Sequence, residues 1–232
     1  MIISCVKWGA KYSHTHVNRL YRMVCKNFTH KFDFVSYTDN DKGIAPGVKV
    51  IPLNTKYRLE TWWWKLCLFE KPTDKVNIFF DLDVVIQKDF SHFVDYATQD
   101  KLCMIKSYWK PYMSEVKSEY DVDINSSIMI WKGDLTHIWN QFINDAEYYL
   151  FKYQGIDRYL YYDHPHTLTF LKKGEVYSRL YGINKYKYNR HGFRWKLYKT
   201  PHPVVCVFDG WMTGRNKILD NEGYNGFEEY WN

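Results

Sequence analysis

The sequence lacks any long hydrophobic run. Hydrophobic residues make up 46% of its 232 positions, but no apolar run approaches the roughly 20 residues that a membrane-spanning helix needs. The first residues, M-I-I-S-C-V-K-W, lead directly into a strand-like run without the basic start and cleavage site of a signal peptide. The mean hydropathy of −0.51 is typical of a globular protein in water. We therefore expect a cytoplasmic protein with no membrane span.

Cysteines are few, and their arrangement argues against the usual cysteine-based frameworks. They are odd in number, widely spaced and mostly located in apolar runs. They are Cys5, Cys25, Cys67, Cys103 and Cys206. This pattern favours buried thiols over a disulfide framework or a zinc site, as expected in a reducing compartment.

The sequence also contains no internal repeat, low-complexity tract or linker-like segment, so we expect a single domain over residues 1–232. The formal net charge of +6 favours anionic partners such as nucleotides, phosphates or acidic glycans without choosing among them. Aromatic residues are abundant, with 10 Trp and 21 Tyr. Most of these rings should pack in the core, but exposed aromatic faces also stack on nucleobases and sugars.

Strand-like and helical patterns alternate along the chain. Apolar runs predict strands at residues 2–6, 32–38, 48–53, 75–86, 102–106, 124–131, 175–180 and 204–208. Helical spacing predicts helices at 13–28 with Ser13 or Thr15 as N-cap, at 60–70, at 135–150, and a short one from Asp157. The alternation predicts an α/β fold with a mostly parallel, Rossmann-like central sheet. Ligands of such sheets bind at the carboxyl ends of the strands.

Residues 75–86, K-V-N-I-F-F-D-L-D-V-V-I, place two carboxylates inside an apolar run. An ionised carboxylate left unpaired in a core would cost several kcal/mol or more, so something should compensate Asp81 and Asp83. Residues two apart in a strand point to the same face, which lets both side chains present oxygens to one site. Hard oxygen ligands suit Mg²⁺ or Mn²⁺.

The Asp-x-Asp pattern alone is not specific, because it occurs three times. Asp39 and Asp41 lie in the turn-like stretch T-D-N-D-K-G. A third pair, at positions 121 and 123, lies in a polar stretch before a strand. Only the pair at 81 and 83 has apolar residues on both sides. We therefore favour a metal or phosphate role for that pair over solvated carboxylates at a strand end.

Three motifs together resemble a known family. The strand I-F-F-D-L-D-V-V-I, the preceding W-K-L-C-L-F and the downstream N-S-S-I-M-I resemble the GT-A fold of nucleotide-sugar-dependent glycosyltransferases. They are similar to the group of glycogenin and the lipopolysaccharide galactosyltransferases, and to related bacterial and phage proteins. The resemblance covers roughly residues 2–215. It implies a nucleotide-binding half before about residue 131 and an acceptor-side half after it.

The resemblance implies a donor site around the middle Asp-x-Asp pair. Asp81 and Asp83 match the residues that hold Mn²⁺ or Mg²⁺ against the donor diphosphate. Lys65 matches a basic residue expected near the diphosphate or the donor sugar, with an ordinary solvated helix lysine as the alternative.

A nucleoside-binding loop is implied after the first strand. Trp8, Gly9 and Tyr12 match it, since glycine lets backbone approach the ligand and an aromatic ring can stack on the base. Core packing is the alternative for Trp8. Asp39 would accept a hydrogen bond from ribose or base, although formation of its own turn explains it equally well.

The sugar end of the site is implied by two further segments. Asn125 and Ser126 match an Asn-Ser pair whose amide and hydroxyl groups bind the donor sugar. Ser127 departs from the glycine common at its position, which leaves the shape of that loop open. Asp157 matches an acidic residue that orients the acceptor or stabilises an oxocarbenium-like transition state, and a helix N-cap is its alternative.

The end of the chain departs most from the resemblance. Relatives often have a metal-binding His where this chain has Asp209, so Asp209 is the candidate third metal ligand, with His202 as the alternative. Arg215 or Lys217 would then reach the phosphates.

These residues predict a metal-dependent glycosyltransferase that moves a sugar from a nucleotide sugar, with a UDP-sugar preferred, to an acceptor hydroxyl. The likeness to the glycogenin group implies retention of anomeric configuration. One alternative is a metal-dependent phosphodiesterase or nuclease. The other is a non-catalytic glycan or nucleic-acid binding module based on the basic, aromatic residues 184–199. In the leading interpretation that segment covers the acceptor side and would suit an anionic acceptor, with nucleic acid not expected as a partner.

Overall fold

The computed structural model describes residues 1–108, 122–178, 204–208 and 228–230. Strands and helices alternate through most of this part of the chain, as the sequence predicts. In chain order the strands and α-helices are β1 (Ile2–Lys7), α1 (His14–Asn27), β2 (Asp33–Thr38), β3 (Lys49–Pro52), β4 (Thr73–Phe80), β5 (Val84–Ile86), β6 (Lys101–Lys106), β7 (Ile124–Gly133), α2 (Thr136–Asn144), α3 (Ala146–Lys152), α4 (Ile156–Asp163), β8 (Leu168–Phe170), β9 (Val176–Ser178) and β10 (Val205–Val207). Short 3₁₀ segments lie at Thr55–Tyr57, Thr61–Phe69, Ser91–Tyr96, Pro165–Thr167 and Glu228–Tyr230.

A seven-stranded sheet forms the centre, in the order β3-β2-β1-β4-β7-β6-β8. Strand β1 pairs in parallel with β2 and β4, β2 with β3, and β6 with β8. Strand β7 runs antiparallel to both of its neighbours. The predicted mostly parallel sheet is therefore confirmed. Because β7 is reversed, its amino end lies at the same edge of the sheet as the carboxyl ends of β1, β2 and β4.

The predicted single strand at residues 75–86 is wrong, because the chain forms two strands that belong to different sheets. Strand β4 lies in the central sheet, whereas β5 pairs with β10 in a three-stranded sheet of order β5-β10-β9. Asp81 and Asp83 occupy the connection between them. Backbone bonds fix both ends of this connection: Asp81 N–H donates to the Ser127 carbonyl at 2.9 Å, and Phe208 N–H donates to the Asp83 carbonyl at 3.0 Å. A break at this point keeps the carboxylates out of a fully buried strand.

Two predicted helices also need correction. Residues 60–70 form a 3₁₀ segment, Thr61–Phe69, instead of a three-turn α-helix. Side chains three apart eclipse one another in this tighter helix, which aligns Trp63, Leu66 and Phe69, all buried in the same core cluster. The predicted helix at 135–150 is divided at Asp145 into α2 and α3, in keeping with the poor helix propensity of a short acidic side chain. Helix α1 begins as predicted, with Ser13 as N-cap.

The central sheet is buried on both faces. On one face, alternate residues such as Ile3, Ile78 and Phe80 pack with α1 and the smaller sheet. On the other face, Phe79 and Met129 pack with α2, α4 and the Thr61–Phe69 segment. Burial on both faces explains why these strands read as continuous apolar runs rather than as alternating patterns.

The cysteines form no disulfide, as expected. Cys5, Cys103 and Cys206 are buried, but Cys25 is exposed and Cys67 is only partly buried, so burial of all five thiols is not observed. Cys25 lies on the side of α1 that faces solvent, next to the buried Val24.

No helix among the described residues is both long enough and apolar enough to span a membrane.

Candidate functional site

Polar side chains gather where β4 ends and β7 begins. The two strands pair with Phe80 opposite Ile128, so the residues after Phe80 lie beside the first residues of β7. The pairing of β7 with β6 is interrupted here, since Met104 pairs with Met129 but Ile105 pairs with Asn125. A bulge of this kind re-aims the side chains of the bulged strand. It spans residues 126–128, of which Ser126 and Ser127 carry polar groups into this corner.

Lys65 connects the two strands through its ammonium group. Its Nζ lies 2.7 Å from Asp81 Oδ2, 3.2 Å from Ser126 Oγ and 3.4 Å from the Ser126 carbonyl. The side chains of Lys65 and Asp81 are only 10% and 22% exposed, so this is a largely desolvated ion pair. The alternative of an ordinary solvated lysine is wrong, because Lys65 points into the corner and binds the first aspartate of the pair.

Asp83 lies beside this ion pair and is held by a different residue. The Tyr12 hydroxyl donates to Asp83 Oδ2 at 2.8 Å. Burial, followed by the negative charge of Asp81, raises the pKa of the Asp83 carboxyl to about 6, although the hydrogen bond from Tyr12 opposes the shift. The negative charge of Asp81 therefore acts on Asp83, and the ionised form of Asp83 is disfavoured at this corner.

The donor set at this corner fits a hard divalent cation. Two carboxylates offer only oxygen ligands, and a bound cation would offset both the burial and the negative charge of Asp81 that raise the pKa of Asp83. Within residues 1–108, 122–178, 204–208 and 228–230, no group of three or more His, Cys, Asp or Glu side chains could hold a metal. The candidates Asp209, His202, Arg215 and Lys217 lie outside the described residues.

A second polar cluster lies at the ends of β1 and β2. Asp39 Oδ2 accepts a hydrogen bond of 2.8 Å from the Gly9 N–H, and Asp39 Oδ1 lies 3.4 Å from Lys7 Nζ. Gly9 has a left-handed backbone with φ of 65°, which glycine adopts without steric cost. The carboxylate of Asp39 therefore stabilises the loop after β1 rather than its own turn. Trp8 is partly buried and packs against the core cluster, so its core-packing alternative holds for at least part of the ring.

Asp157 extends the main site toward α4. Its Oδ1 accepts a hydrogen bond of 3.0 Å from the Ser126 N–H. The N-cap alternative for Asp157 is wrong, since Gly155 caps α4 and Asp157 lies in the first helical turn. Asn125 lies at the same corner, where its Oδ1 accepts a hydrogen bond of 2.9 Å from the Ser127 N–H. Lys65, Asp81, Ser126 and Asp157 thus form one connected network, with Asp83 and Tyr12 beside it.

Sequence reasoning missed two contributors to these clusters and one exposed ring outside them. Lys7 is buried and pairs with Asp39, and its position at the end of an apolar strand was the available signal. The Ser127 carbonyl accepts the Asp81 N–H, which no sequence pattern indicates. Trp62 is 41% exposed, and the continuous W-W-W run gave no sign that its first ring differs from the other two.

The fold of this chain matches solved glycosyltransferases. The galactosyltransferase LgtC, crystallised with donor and acceptor sugar analogues, matches with a TM-score of 0.60 at 13% identity, over 94% of this chain and 95% of that chain. Glycosyltransferase GlyE of Streptococcus pneumoniae matches with a TM-score of 0.59 at 11% identity, over 89% of this chain and 54% of that chain. The bifunctional glycosyltransferase WbbM matches with a TM-score of 0.56 at 11% identity, over 90% of this chain and 45% of that chain.

Sequence comparison adds nothing to these matches. No protein-family model matches the sequence, and no curated protein matches it. At such low identities the structural likeness shows the fold alone. The GT-A fold predicted from the three sequence motifs is therefore confirmed.

Proposed function

We propose that this protein is a metal-dependent glycosyltransferase that transfers a sugar from a UDP-sugar to an acceptor hydroxyl with retention of configuration. The observation that carries the proposal is the desolvated Lys65–Asp81 pair, 2.7 Å long, joined to Ser126 and adjacent to Asp83. The network lies at the ligand-binding edge of a GT-A sheet. An ion pair with so little exposure adds little to stability compared with an apolar replacement, so a functional reason for it is favoured.

The order of the strands supports an orientation for the donor. Along the edge of the sheet the strands run in the order β2, β1, β4 and β7. Asp39 and Gly9 therefore lie on one side of Asp81, and Ser126 lies on its other side. A nucleotide sugar with its nucleoside at Asp39 would have its diphosphate at Asp81 and its sugar at Asn125 and Ser126. This order is the order of the chemical groups in the donor itself.

Asp81 and Asp83 would hold Mn²⁺ or Mg²⁺ between them. When bound, such an ion acts as a Lewis acid that neutralises the charge developing on the departing nucleoside diphosphate. Lys65 adds a positive charge beside the same place, held there by its contact with Asp81, and this charge would favour the binding of a diphosphate. Arg215 and Lys217 are further proposed phosphate contacts, and Asp209 is the proposed third metal ligand.

Asp157 is the proposed catalytic carboxylate. Its hydrogen bond to the Ser126 N–H fixes one oxygen, which holds the carboxyl group at the sugar end of the site. From there it can orient the acceptor hydroxyl or stabilise positive charge on the sugar ring as the bond to the diphosphate breaks. The phosphodiesterase and binding-module alternatives lack comparable support, because the solved structures compared above are glycosyltransferases.

The proposal is tested by measuring UDP binding by isothermal titration calorimetry in Mn²⁺ and in EDTA. We expect binding only with Mn²⁺, and we expect Asp83→Ala to weaken it by about 100-fold or more because the ion loses a direct ligand. Asp41→Ala is the matched control, since Asp41 belongs to the other Asp-x-Asp pair and is exposed. Equal UDP affinity in EDTA, or an unaffected Asp83→Ala variant, would contradict the proposal.

Turnover tests the finer parts of the proposal. UDP-glucose and UDP-galactose, incubated with Mn²⁺ and a panel of methyl glycosides, should release UDP and form a new glycosidic bond. Nuclear magnetic resonance of the product anomer should show retention. An inverted product would contradict the retaining mechanism without affecting the metal and donor assignments.

A further inference from the structure

Trp62 differs from the other two tryptophans in its run. It is 41% exposed, whereas Trp63 and Trp64 are 5% and 1% exposed. An aromatic ring of this size usually buries most of its surface, because its apolar faces gain more from packing than almost any other side chain. The donor site described above makes no use of this ring. Its exposure therefore lacks an explanation from packing or from donor binding.

The backbone before Trp62 is strained. Thr61 has a left-handed φ of 53°, and Arg58, three residues earlier, has a φ of 48°. A positive φ is a genuine outlier for a β-branched residue such as Thr61. Strain of this kind persists only where the surrounding structure enforces it, and it is concentrated at binding and active sites. Here it sets the direction in which the chain enters the 3₁₀ segment, and hence the position of the first ring.

The helical geometry places Trp62 on the same face as Lys65. In a 3₁₀ helix, side chains at i and i+3 eclipse one another, and Trp62 and Lys65 are three apart in Thr61–Phe69. The Lys65 ammonium group lies on Asp81, so this face is the one directed at the candidate site. Trp62 lies one turn farther out, where the face reaches solvent.

A contact with Gly155 fixes the side of the site on which the ring lies. A Cβ atom on Gly155 would lie 3.1 Å from Trp62 Nε1 and 3.6 Å from Cδ1, so the indole lies close against this glycine. Gly155 is the N-cap of α4, two residues before Asp157. The ring therefore lies at the Asp157 end of the site. The Gly9 and Asp39 cluster lies at the opposite end, across β4.

We infer that Trp62 is a stacking platform for the acceptor, which is a pyranoside whose C–H face lies on the exposed indole face. This inference rests on the proposed function and names its acceptor class. A nucleobase could also stack on an indole ring, but in the proposed orientation of the donor the nucleoside lies at Asp39. The acceptor must approach the sugar end of the donor from solvent. Tyr161 and Tyr162 on α4 are also exposed, but Trp62 is the exposed ring that follows a strained backbone and shares its helical face with Lys65. Trp62 thus contributes to acceptor affinity and not to donor affinity.

The inference is tested on ¹⁵N-labelled full-length protein with saturating UDP and Mn²⁺. Methyl β-D-galactopyranoside and methyl β-D-glucopyranoside are titrated while the indole N–H resonances are recorded, and Trp62→Phe identifies the Trp62 resonance by its loss. We expect the Trp62 resonance to shift with at least one glycoside. We expect Trp62→Ala to weaken that glycoside by about tenfold, equivalent to about 1.4 kcal/mol, and Trp62→Phe to keep its affinity within about threefold because an aromatic face remains.

Phe151→Ala is the matched control, since Phe151 is 94% exposed on a helix outside the site, and it should leave all affinities unchanged. UDP affinity, measured by calorimetry, should be the same in wild-type protein and in Trp62→Ala. If Trp62→Ala lost as much affinity for UDP as for the glycoside, the inference would be overturned in favour of nucleobase stacking. So would an unshifted Trp62 resonance or an unchanged glycoside affinity, while the proposed function would stand. Failure of the wild-type protein to bind UDP would instead contradict the proposed function, and the acceptor assignment with it.

Discussion

The two Asp-x-Asp pairs in the described residues have the same pattern and different surroundings. Asp39 is held by the Gly9 N–H and by Lys7 at 3.4 Å, and its neighbour Asp41 is exposed. Asp81 is held by Lys65 at 2.7 Å, and both it and Asp83 are partly buried. The first pair follows a strand into a solvated loop. The second lies between two sheets, where the ends of β4 and β7 and the side chains of Lys65 and Tyr12 converge.

The comparison teaches that the pattern supplies the carboxylates but not their chemistry. In the first pair a single carboxylate stabilises a loop, and the other faces water. In the second pair one carboxylate is neutralised by a lysine, and the pKa of the other is raised to about 6. A carboxylate that resists ionisation near another charge is a common property of functional sites. Substitutions at matched positions of the two pairs can therefore test whether this difference is real.

The largest difference in stability is expected between variants of the two lysines, Lys65 and Lys7, that bind the two aspartate pairs. Lys65→Met should lower the free energy of unfolding by about 2–3 kcal/mol, because it leaves the partly buried Asp81 and the Ser126 hydroxyl without their charged partner. Lys7→Met should lower it by about 1 kcal/mol, since Lys7 makes a single longer contact to Asp39. Urea denaturation of the two variants measures the difference. Losses within about 0.5 kcal/mol of each other would show that the two ion pairs are equivalent.

In metal-free protein, Asp83→Asn and Asp39→Asn should change the free energy of unfolding in opposite directions. The folded-state pKa of Asp83, about 6, lies above the ordinary value of 3.8, so folding disfavours the ionised form. Wild-type stability should therefore rise as the pH falls from 7 through 6 toward 4. The asparagine removes this penalty, so Asp83→Asn should be more stable than wild type at pH 7.5 by about 1–3 kcal/mol, with the advantage disappearing toward pH 4.

Asp39→Asn should instead be less stable at pH 7.5 by about 1 kcal/mol, because it weakens charge-assisted bonds from Gly9 and Lys7. Urea denaturation in EDTA at pH 7.5 and pH 4.5 measures both variants. A loss of stability in Asp83→Asn at pH 7.5 would contradict the assignment of Asp83 as a destabilised carboxylate. An advantage that does not depend on pH would contradict its cause.

The smallest effect is expected from removal of one hydroxyl. Tyr12→Phe deletes the hydrogen bond of 2.8 Å to Asp83 and leaves that carboxylate less well oriented. We expect an affinity for Mn²⁺ about tenfold lower in the presence of UDP, measured by calorimetry. Tyr57→Phe is the matched control, because its hydroxyl donates to the exposed Glu70 at 3.5 Å. The same Mn²⁺ affinity in both variants would show that Tyr12 does not position Asp83.

The sequence was informative about the site where charge interrupts apolar runs. Asp81 and Asp83 were recognisable because carboxylates are rare between buried strands, whereas Lys65 was indicated only by the resemblance to the GT-A family. Which oxygen Lys65 binds was not predictable. Neither was the pairing of Tyr12 with Asp83, since these residues are 71 positions apart and meet only through the pairing of β1 with β4.

The sequence predicted most of the strands and helices, but it predicted less well where each one begins and ends. Apolar runs located most of the strands because the sheet is buried on both faces, and the 3.6-residue period located α1. Strand β8 was not predicted, since its three residues are partly buried or exposed and form no apolar run. The division of residues 75–86 between two sheets was missed, because an apolar run does not show which neighbour each of its halves will pair with. The 3₁₀ form of Thr61–Phe69 was missed because a continuous run of large side chains fits either helical period.

The sequence by itself determined the α/β alternation, the GT-A resemblance and the position of Asp81 and Asp83 after a buried strand. These depend on local composition and on spacing along the chain, which the amino acids specify directly. The tertiary structure alone decided that Lys65 neutralises Asp81, that Asp39 stabilises the loop at Gly9, and that Trp62 remains exposed at the Asp157 end of the site. Those outcomes depend on side-chain direction and on contacts between distant segments. Packing fixes them only when the strands pair and the sheet is complete.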